Sequence, residues 1–430
     1  MLLTVKNIAK IKEANIEFNG ITVIAGENNS GKSTISKTLF SIFYSFYNSS
    51  NELKRERDIE IELVMFPLLR LPPLTDFGRS AIRDWGHSLI ESYNEYSINR
   101  TDEEIYGAIK SELESLLNKY DHNNENYKSM ILRNINVEEL AKDMCDILKI
   151  DEEHFQKKLI DRGFHGVFGY QINHIDSPNN TCDINLKIKE KDVNVSFENN
   201  RCINFSKDID INVEALYVDT PLILDYIDGT GIKTSIGAHR DLLINKLRVR
   251  QDSTVISEIV KEKKLDNIIQ KINEVASGDF VTSDGIIRFR ERGFLSPLNL
   301  DSLSTGLKTF AILKRLIENG QLEEKGVLIL DEPEVHLHPK WQLIFAEILV
   351  LLQKEFDLNV LLTTHSPYFL EAIEVYSKKH GITDKCKFYL TELENNFVTI
   401  EDVSYENLDK IYIKMAEPYK ELEKVRYSLS

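Results

Sequence analysis

A chain of 430 residues with 42% hydrophobic content has apolar sequence enough for a large core and at least two structural units. Its 69 acidic against 53 basic residues leave a formal net charge of −16, which argues against a body that grips nucleic acid over a broad surface. No segment has the length of uncharged apolar sequence needed to span a bilayer, and Cys145, Cys182, Cys202 and Cys386 show neither metal nor redox spacing, so the expected setting is a reducing cytoplasm without a membrane partner.

The N-terminal stretch MLLTVKNIAKIKEANIEF alternates like a strand and lacks the basic start and cleavage site of a signal peptide. An apolar run over 21–25 then leads into GENNSGKST, and a helix-like run over 34–43 follows. Strand, loop and helix in that order are what a phosphate loop needs: backbone N–H groups wrap the α- and β-phosphates while the helix points its positive end at them. Gly26 and Gly31 let the backbone turn and approach closely, Lys32 reaches the β- and γ-phosphates, and the Ser33 hydroxyl is placed to ligate Mg²⁺. Gly26, Asn28, Asn29, Ser30, Gly31, Lys32, Ser33 and Thr34 are therefore the candidate ATP-binding residues. An ordinary Gly-rich turn would not account for the flanking strand and helix.

Residues 46–165 are rich in Glu, Lys, Asn and Tyr, with helical stretches over 103–120 and 137–148. Pro67, Pro72 and Pro73 exclude one continuous helix, and no heptad repeat is sustained, so a compact helical insertion is expected rather than a coiled-coil arm. Residues 184–189, 193–197 and 202–205 alternate between apolar and polar, with Asn199-Asn200 as a turn, and predict an antiparallel β segment within 166–214. The chain returns to its core through ALYVDTPLIL at 215–224. His239, Arg240, Lys246, Arg248 and Arg250 form a local basic cluster that could meet the phosphate of nucleic acid, of ATP, or of neither.

Three further segments carry chemistry. In LSTGLK, Ser304 is a good N-cap, and Phe310, Leu313, Leu316 and Ile317 make a helical stripe ending at Gly320. That is either a capped helix or, through Ser304 and Gly306, a second phosphate-binding device, spare in one polypeptide unless it serves a neighbour's ATP. The run 327–330 reads as a strand buried on both faces and ends in Asp331 and Glu332, where open α/β sheets bind ligands. Asp331 can hold Mg²⁺ through water and Glu332 can deprotonate an attacking water. The strand over 359–362 ends in Thr363, Thr364, His365 and Ser366, placing an imidazole where it could touch a γ-phosphate. After Gly381 a strand pattern over 386–391 and a helix from Ser404 leave too little chain for a nuclease domain.

The four segments GENNSGKST, LSTGLK, VLILDEPEVHLHP and LLTTHSP, in that order, resemble the ATP-binding-cassette (ABC) ATPase superfamily. DEPEVHLHP and THSP resemble its soluble RecF-like, SMC-like and OLD-like branch of AAA-family ATPases. The wording around Ser304 and Trp341 is similar to stand-alone ATPases of the Septu and PARIS anti-phage systems. The resemblance covers about residues 1–45 and 215–380. It implies an α/β P-loop NTPase with an ABC-like head, a mixed and mainly parallel sheet with an antiparallel β layer, and a helical insertion.

By the same resemblance the chain divides into 1–45, 46–165, 166–214, 215–380 and 381–430. Lys32 and Ser33 would bind phosphate and Mg²⁺, Asp331 would support the metal, Glu332 would be the catalytic base and His365 the switch histidine. Ser304 and Gly306 would close on ATP held by the other subunit of a homodimer or larger homo-oligomer, with His336 and His338 at the interface. A separate effector, a nuclease or toxin, is the implied partner. RecF- or SMC-like action on DNA and an ATP-bound scaffold with negligible turnover stay open. The family's Q-loop glutamine cannot be placed, Asp219 standing in its expected neighbourhood, and no aromatic residue can be nominated for adenine, the start of the chain offering only Phe18. A transporter cassette is disfavoured because Ser33 and Ser304 lie 271 positions apart.

Overall fold

The computed structural model describes residues 1–69, 76–97, 100–119, 136–177, 179–227, 235–251, 255–394, 397–404 and 407–429. Two units emerge, Met1–Tyr47 with Leu159–Ser430, and Asn48–Lys158. The first opens with the hairpin β1 (Leu2–Ile8) and β2 (Ile11–Glu17), followed by β3 (Ile21–Gly26) and α1 (Lys32–Phe46).

The second unit is helical: α2 (Ser49–Leu69), α3 (Asp76–Ser97), α4 (Asp102–Lys119) and α5 (Val137–Leu148). Thr101 and Glu104 start α4 with a reciprocal capping box, and Asn136 caps α5 by accepting the Glu139 N–H. Ile61, Met65, Leu89, Ile109 and Met144 pack into its own small core. Pro67 lies within α2, whose helix closes at Leu69, while Pro72, Pro73 and Tyr120 fall outside the described residues.

The chain continues through α6 (Glu152–Phe168) into the meander β4 (Cys182–Ile188), β5 (Lys191–Glu198) and β6 (Arg201–Lys207). Asn199 and Asn200 both adopt positive φ, 50° and 61°, as a two-residue hairpin matching strand twist requires. Next come β7 (Ala215–Val218), a 3₁₀ turn at Pro221–Tyr226, α7 (Ala238–Arg248) and α8 (Val255–Asn273). A small sheet of β8 (Gly278–Ser283), β9 (Ile286–Glu291) and β10 (Leu298–Asn299) precedes α9 (Thr305–Glu318). β11 (Val327–Asp331), α10 (Pro339–Phe356), β12 (Asn359–Thr364) and α11 (Pro367–His380) follow. The hairpin β13 (Cys386–Glu394) and β14 (Phe397–Asp402) leads to α12 (Asp409–Met415) and α13 (Glu417–Ser428); the expected helix start near Ser404 abuts residues 405–406, outside the described residues.

One sheet runs β6-β5-β4-β1-β2-β14-β13-β3-β12-β11-β7. It is mixed: β13, β3, β12, β11 and β7 pair in parallel, and the meander with β1 and β2 is antiparallel. The antiparallel strands thus extend the same hydrogen-bonded sheet. The parallel strands are buried on both faces, which their unbroken apolar runs demand. Val23, Leu328, Leu330 and Leu362 face a core shared with Phe310, Phe345 and Phe369, whereas Ile24, Ile329 and Leu361 face Phe40, Phe43 and Phe164. Register aligns Ile24 with Thr363 and Thr363 with Asp331, so the carboxyl ends of β3, β12 and β11 lie side by side. Among the described residues no helix is long and apolar enough to cross a membrane.

Glu347 on α10 ties three helices together, accepting from Lys271 on α8 (2.7 Å) and from Lys379 and His380 on α11 (2.7 and 3.1 Å). Burial alone would raise its carboxyl, but these cations outweigh it and hold it at about 2. A carboxyl depressed in the fold stabilises it above the ordinary carboxylate pKa, and that contribution is lost as pH falls from about 4.5 towards 2. Glu347→Gln should therefore lower the melting temperature at pH 7 by roughly 2–5 °C, with the gap to wild type narrowing across that acid window; a pH-independent gap would contradict the ion-pair origin.

Candidate functional site

The loop between β3 and α1 needs its glycines. Gly26 has φ 155°, and a Cβ there would overlap the Thr391 hydroxyl on the adjacent strand β13; Gly31 has φ 80° and packs against Val398 and Ile11. Asn29 adopts φ 65°, a conformation Asn tolerates, and its side chain accepts from Lys10 at 2.8 Å. Ser30 Oγ donates to the Glu27 carbonyl (2.6 Å) and lies 2.5 Å from Thr391 Oγ1. Gly31 gives α1 no side-chain cap and its first turn carries no acidic residue, so the helix's positive end is left for an anion.

Lys32 is buried, and its ammonium donates to the carbonyls of Gly26 (3.0 Å) and Glu27 (2.8 Å) while pairing with Glu332 at 3.2 Å. Glu332 itself has φ 47°, which costs a non-glycine residue about 1–3 kcal/mol. Its N–H donates to the carbonyl (3.1 Å) and hydroxyl (3.0 Å) of Thr363, which hold the turn. The carboxylate stands between Lys32 and His365, whose Nδ1 is 3.4 Å away.

Asp331 accepts hydrogen bonds from Thr363 Oγ1 and from Tyr217 (3.1 Å), a buried phenol on β7. Burial, with the nearby charges of Asp331 and Asp219, pushes that phenol well up, so it remains a donor. Ser33, Asn28, Asn29, Asp331, Glu332 and Asp219 open onto one cavity of about 410 Å³ with a floor of leucines from β11 and α9. Ser33 and Asp331 bring a hydroxyl and a carboxylate to that cavity, oxygen chemistry of the kind Mg²⁺ prefers.

Asp219 is not free for such a role. Arg240 grips it through Nε and Nη2 (3.0 and 2.6 Å), and His239 Nε2 lies 3.0 Å away. Burial would raise the Asp219 carboxyl, yet the bonds and charges of His239 and Arg240 prevail and bring it to about 2. Much of the basic cluster read from the sequence is engaged within the chain: Lys246 pairs with Glu214, and the exposed Arg248 donates to the carbonyls of Ile227 (3.0 Å) and Tyr226 (2.6 Å). Phe18, the aromatic ring at the start of the chain, is buried in the core and not presented to the cavity.

Thus one chain brings Lys32, Ser33, Asp331, Glu332 and His365 together, whereas Ser304 and Gly306 are not among the residues lining the cavity. Ser304 is exposed and caps α9 by accepting the Leu307 N–H at 3.4 Å; a Cβ on Gly306 would come within 2.8 Å of the His336 carbonyl. Neighbouring Lys308 is buried, paired with Asp225 at 2.6 Å. His338 caps α10 through the Lys340 N–H, and His336 borders the cavity. Among the described residues no three His, Cys, Asp or Glu side chains group as a metal cage. Sequence reasoning missed Tyr217, Thr363 and Thr391 as supports, along with Glu334, a buried acid whose carboxyl burial pushes up.

Comparison with known proteins meets this geometry. Residues 198–371 match the family described as "AAA domain, putative AbiEii toxin, Type IV TA system". Over these residues the chain is similar to an AAA-family ATPase domain. The matched span holds Ser304, Asp331, Glu332 and His365, and the phosphate loop precedes it. The chain is 24% identical over 455 residues to "Endonuclease GajA" of Bacillus cereus (strain HuB5-5), covering 97% of this chain but only 62% of that protein's length. Solved structures with similarity include the SMC head domain from Thermotoga maritima, 11% identical with a TM-score of 0.39, covering 94% of this chain and 98% of that one. An SMC head bound to the C-winged helix domain of ScpA is 12% identical with a TM-score of 0.38, covering 95% and 98%.

The Gly26–Thr391 contact makes a direct test of the phosphate loop. Gly26→Ala should weaken ATP binding at least about tenfold, measured by titration with a fluorescent ATP analogue, because the loop must shift to admit a methyl group. An unchanged affinity would contradict the loop geometry.

Proposed function

We propose that this protein hydrolyses ATP with Mg²⁺ in the cytoplasm, at a site completed by a second copy of the chain. The observation that carries the reading is Glu332: a carboxylate aimed by a left-handed turn between the phosphate-loop lysine and His365. In this reading Lys32 and the amides at the start of α1 bind the β- and γ-phosphates. Glu332 accepts the proton of the attacking water, and His365 contacts the γ-phosphate. Ser33 and Asp331 hold Mg²⁺, which when bound offsets charge on the phosphates.

Ser304 is exposed at an α-helix N-terminus, outside its own chain's cavity, so it is available to a γ-phosphate bound by another copy. Closure is then favoured only while the triphosphate is intact, which makes oligomer lifetime a readout of nucleotide state. The similarity to a protein named as an endonuclease supports a nuclease as the activity that closure governs; we propose that it resides in a separate effector of an anti-phage system. Arg240 and Arg248 are already engaged by Asp219 and a backbone carbonyl, which lends no support to direct DNA contact.

Phosphate release per subunit and size-exclusion chromatography with ATP test the proposal together. Lys32→Ala should abolish nucleotide binding. Glu332→Gln should keep binding, lower turnover at least about 100-fold and prolong the closed dimer. Undiminished turnover in Glu332→Gln would remove this residue as the base.

A further inference from the structure

The buried acid Glu334 lies in the turn after β11 and takes no part in the chemistry above, yet its side chain is only 1% exposed. Its Oε1 accepts two hydrogen bonds from the end of β12: the Thr364 hydroxyl at 2.6 Å and the His365 backbone N–H at 3.2 Å. His365 Nδ1 lies 3.9 Å from the same oxygen. Glu334 Oε2 is buried with no hydrogen-bond partner among the described residues. A carboxyl group half satisfied in the interior is a poor choice for stability, since an apolar side chain would fill the space without desolvating a charge. Its geometry serves a different end.

The bonds continue in both directions. Thr363 fastens Asp331 and the Glu332 N–H, Glu334 fastens Thr364 and His365, and Thr364 Oγ1 accepts the Ser366 N–H at 3.0 Å. Ser366 Oγ then donates to Gln342 at 2.7 Å, and Gln342 returns to the Leu337 carbonyl at 3.1 Å. The turn after β11 and the end of β12 are therefore laced residue by residue, and Glu334 is the tie nearest the imidazole.

We infer that Glu334 is a positioning residue for His365: it holds the histidine's backbone against the turn that carries Glu332 and so fixes the distance between imidazole and carboxylate. This rests on the reading of Glu332 and His365 given above. A merely structural clasp would lower stability and affect every step alike, whereas a positioning residue acts through His365.

The test is steady-state ATP hydrolysis by Glu334→Ala, Glu334→Gln, His365→Ala and the Glu334→Ala/His365→Ala double variant, with melting curves and binding of a fluorescent ATP analogue. Glu334→Ala should lower kcat by about 10–100-fold, with KM and analogue affinity within about threefold, because small misplacements of reacting groups cost rate before binding. Glu334→Gln, whose amide oxygen can accept the same two bonds, should restore most of the loss. In the His365→Ala background, Glu334→Ala should cost less than about threefold further. Should Glu334→Ala not fold, Thr364→Val removes one of the two donors and should show the same dependence on His365. Full multiplicative losses in the double variant, or unchanged kcat in Glu334→Ala, would overturn the inference. Absence of turnover in wild type would instead overturn the reading of the site itself.

Discussion

Thr363 is the residue on which the candidate site turns. It is fully buried at the end of β12, between the strand that delivers the phosphate loop and the strand that delivers the acids. Its hydroxyl has one proton and gives it to Asp331; the oxygen and the backbone carbonyl then accept the single N–H of Glu332. With that donor held, Glu332 cannot relax to extended backbone, and its carboxylate is carried across to Lys32 and His365. The strain at φ 47° is thus sustained by two hydrogen bonds in a dry place, where each is strongest and leaving one unmade is most costly.

Parallel pairing makes this arrangement available. Lys32 and Glu332 are separated by 300 positions in the sequence, yet β3 and β11 flank β12 in register, so the loop, the histidine and the carboxylates emerge at one end of the parallel strands. The same end receives β13, whose Thr391 sets the space beside Gly26. The acids nearby are mostly spoken for: Asp219 by Arg240, Asp331 by Tyr217 and Thr363. Glu332 is the partly exposed carboxylate facing both a lysine and a histidine, which is why it carries the proposed chemistry.

Much of this was legible in the sequence where local rules dominate. A phosphate loop has fixed spacing because glycine alone suits its backbone; β11 and β12 show as apolar runs because both faces are buried; Asn199-Asn200 marks a hairpin because both positions need positive φ. Long-range partners were not legible. Nothing in ALYV shows that Tyr217 will reach Asp331, and the charges from His239 to Arg248 leave their partner open until the fold supplies Asp219, Glu214 and two carbonyls. Pro67 seemed a breaker but sits within the final turn of α2. Nothing in DEPEVHLHP sets Glu334 apart from its acidic neighbours, because burial is a property of the packed turn and not of its composition.

The central claim is that ATP is shared between copies, the phosphate loop of one facing the Ser304 helix of the other. Mixing two inactive variants tests it most directly, Lys32→Ala, which lacks a working loop, and Ser304→Arg, which blocks the helix end. In a two-fold dimer with two composite sites, an equimolar mixture should recover about a quarter of wild-type hydrolysis, since half the dimers are mixed and each of those rebuilds one intact site. No recovery on mixing the two inactive variants, or a Ser304→Arg variant that hydrolyses ATP alone at the wild-type rate, would contradict the account.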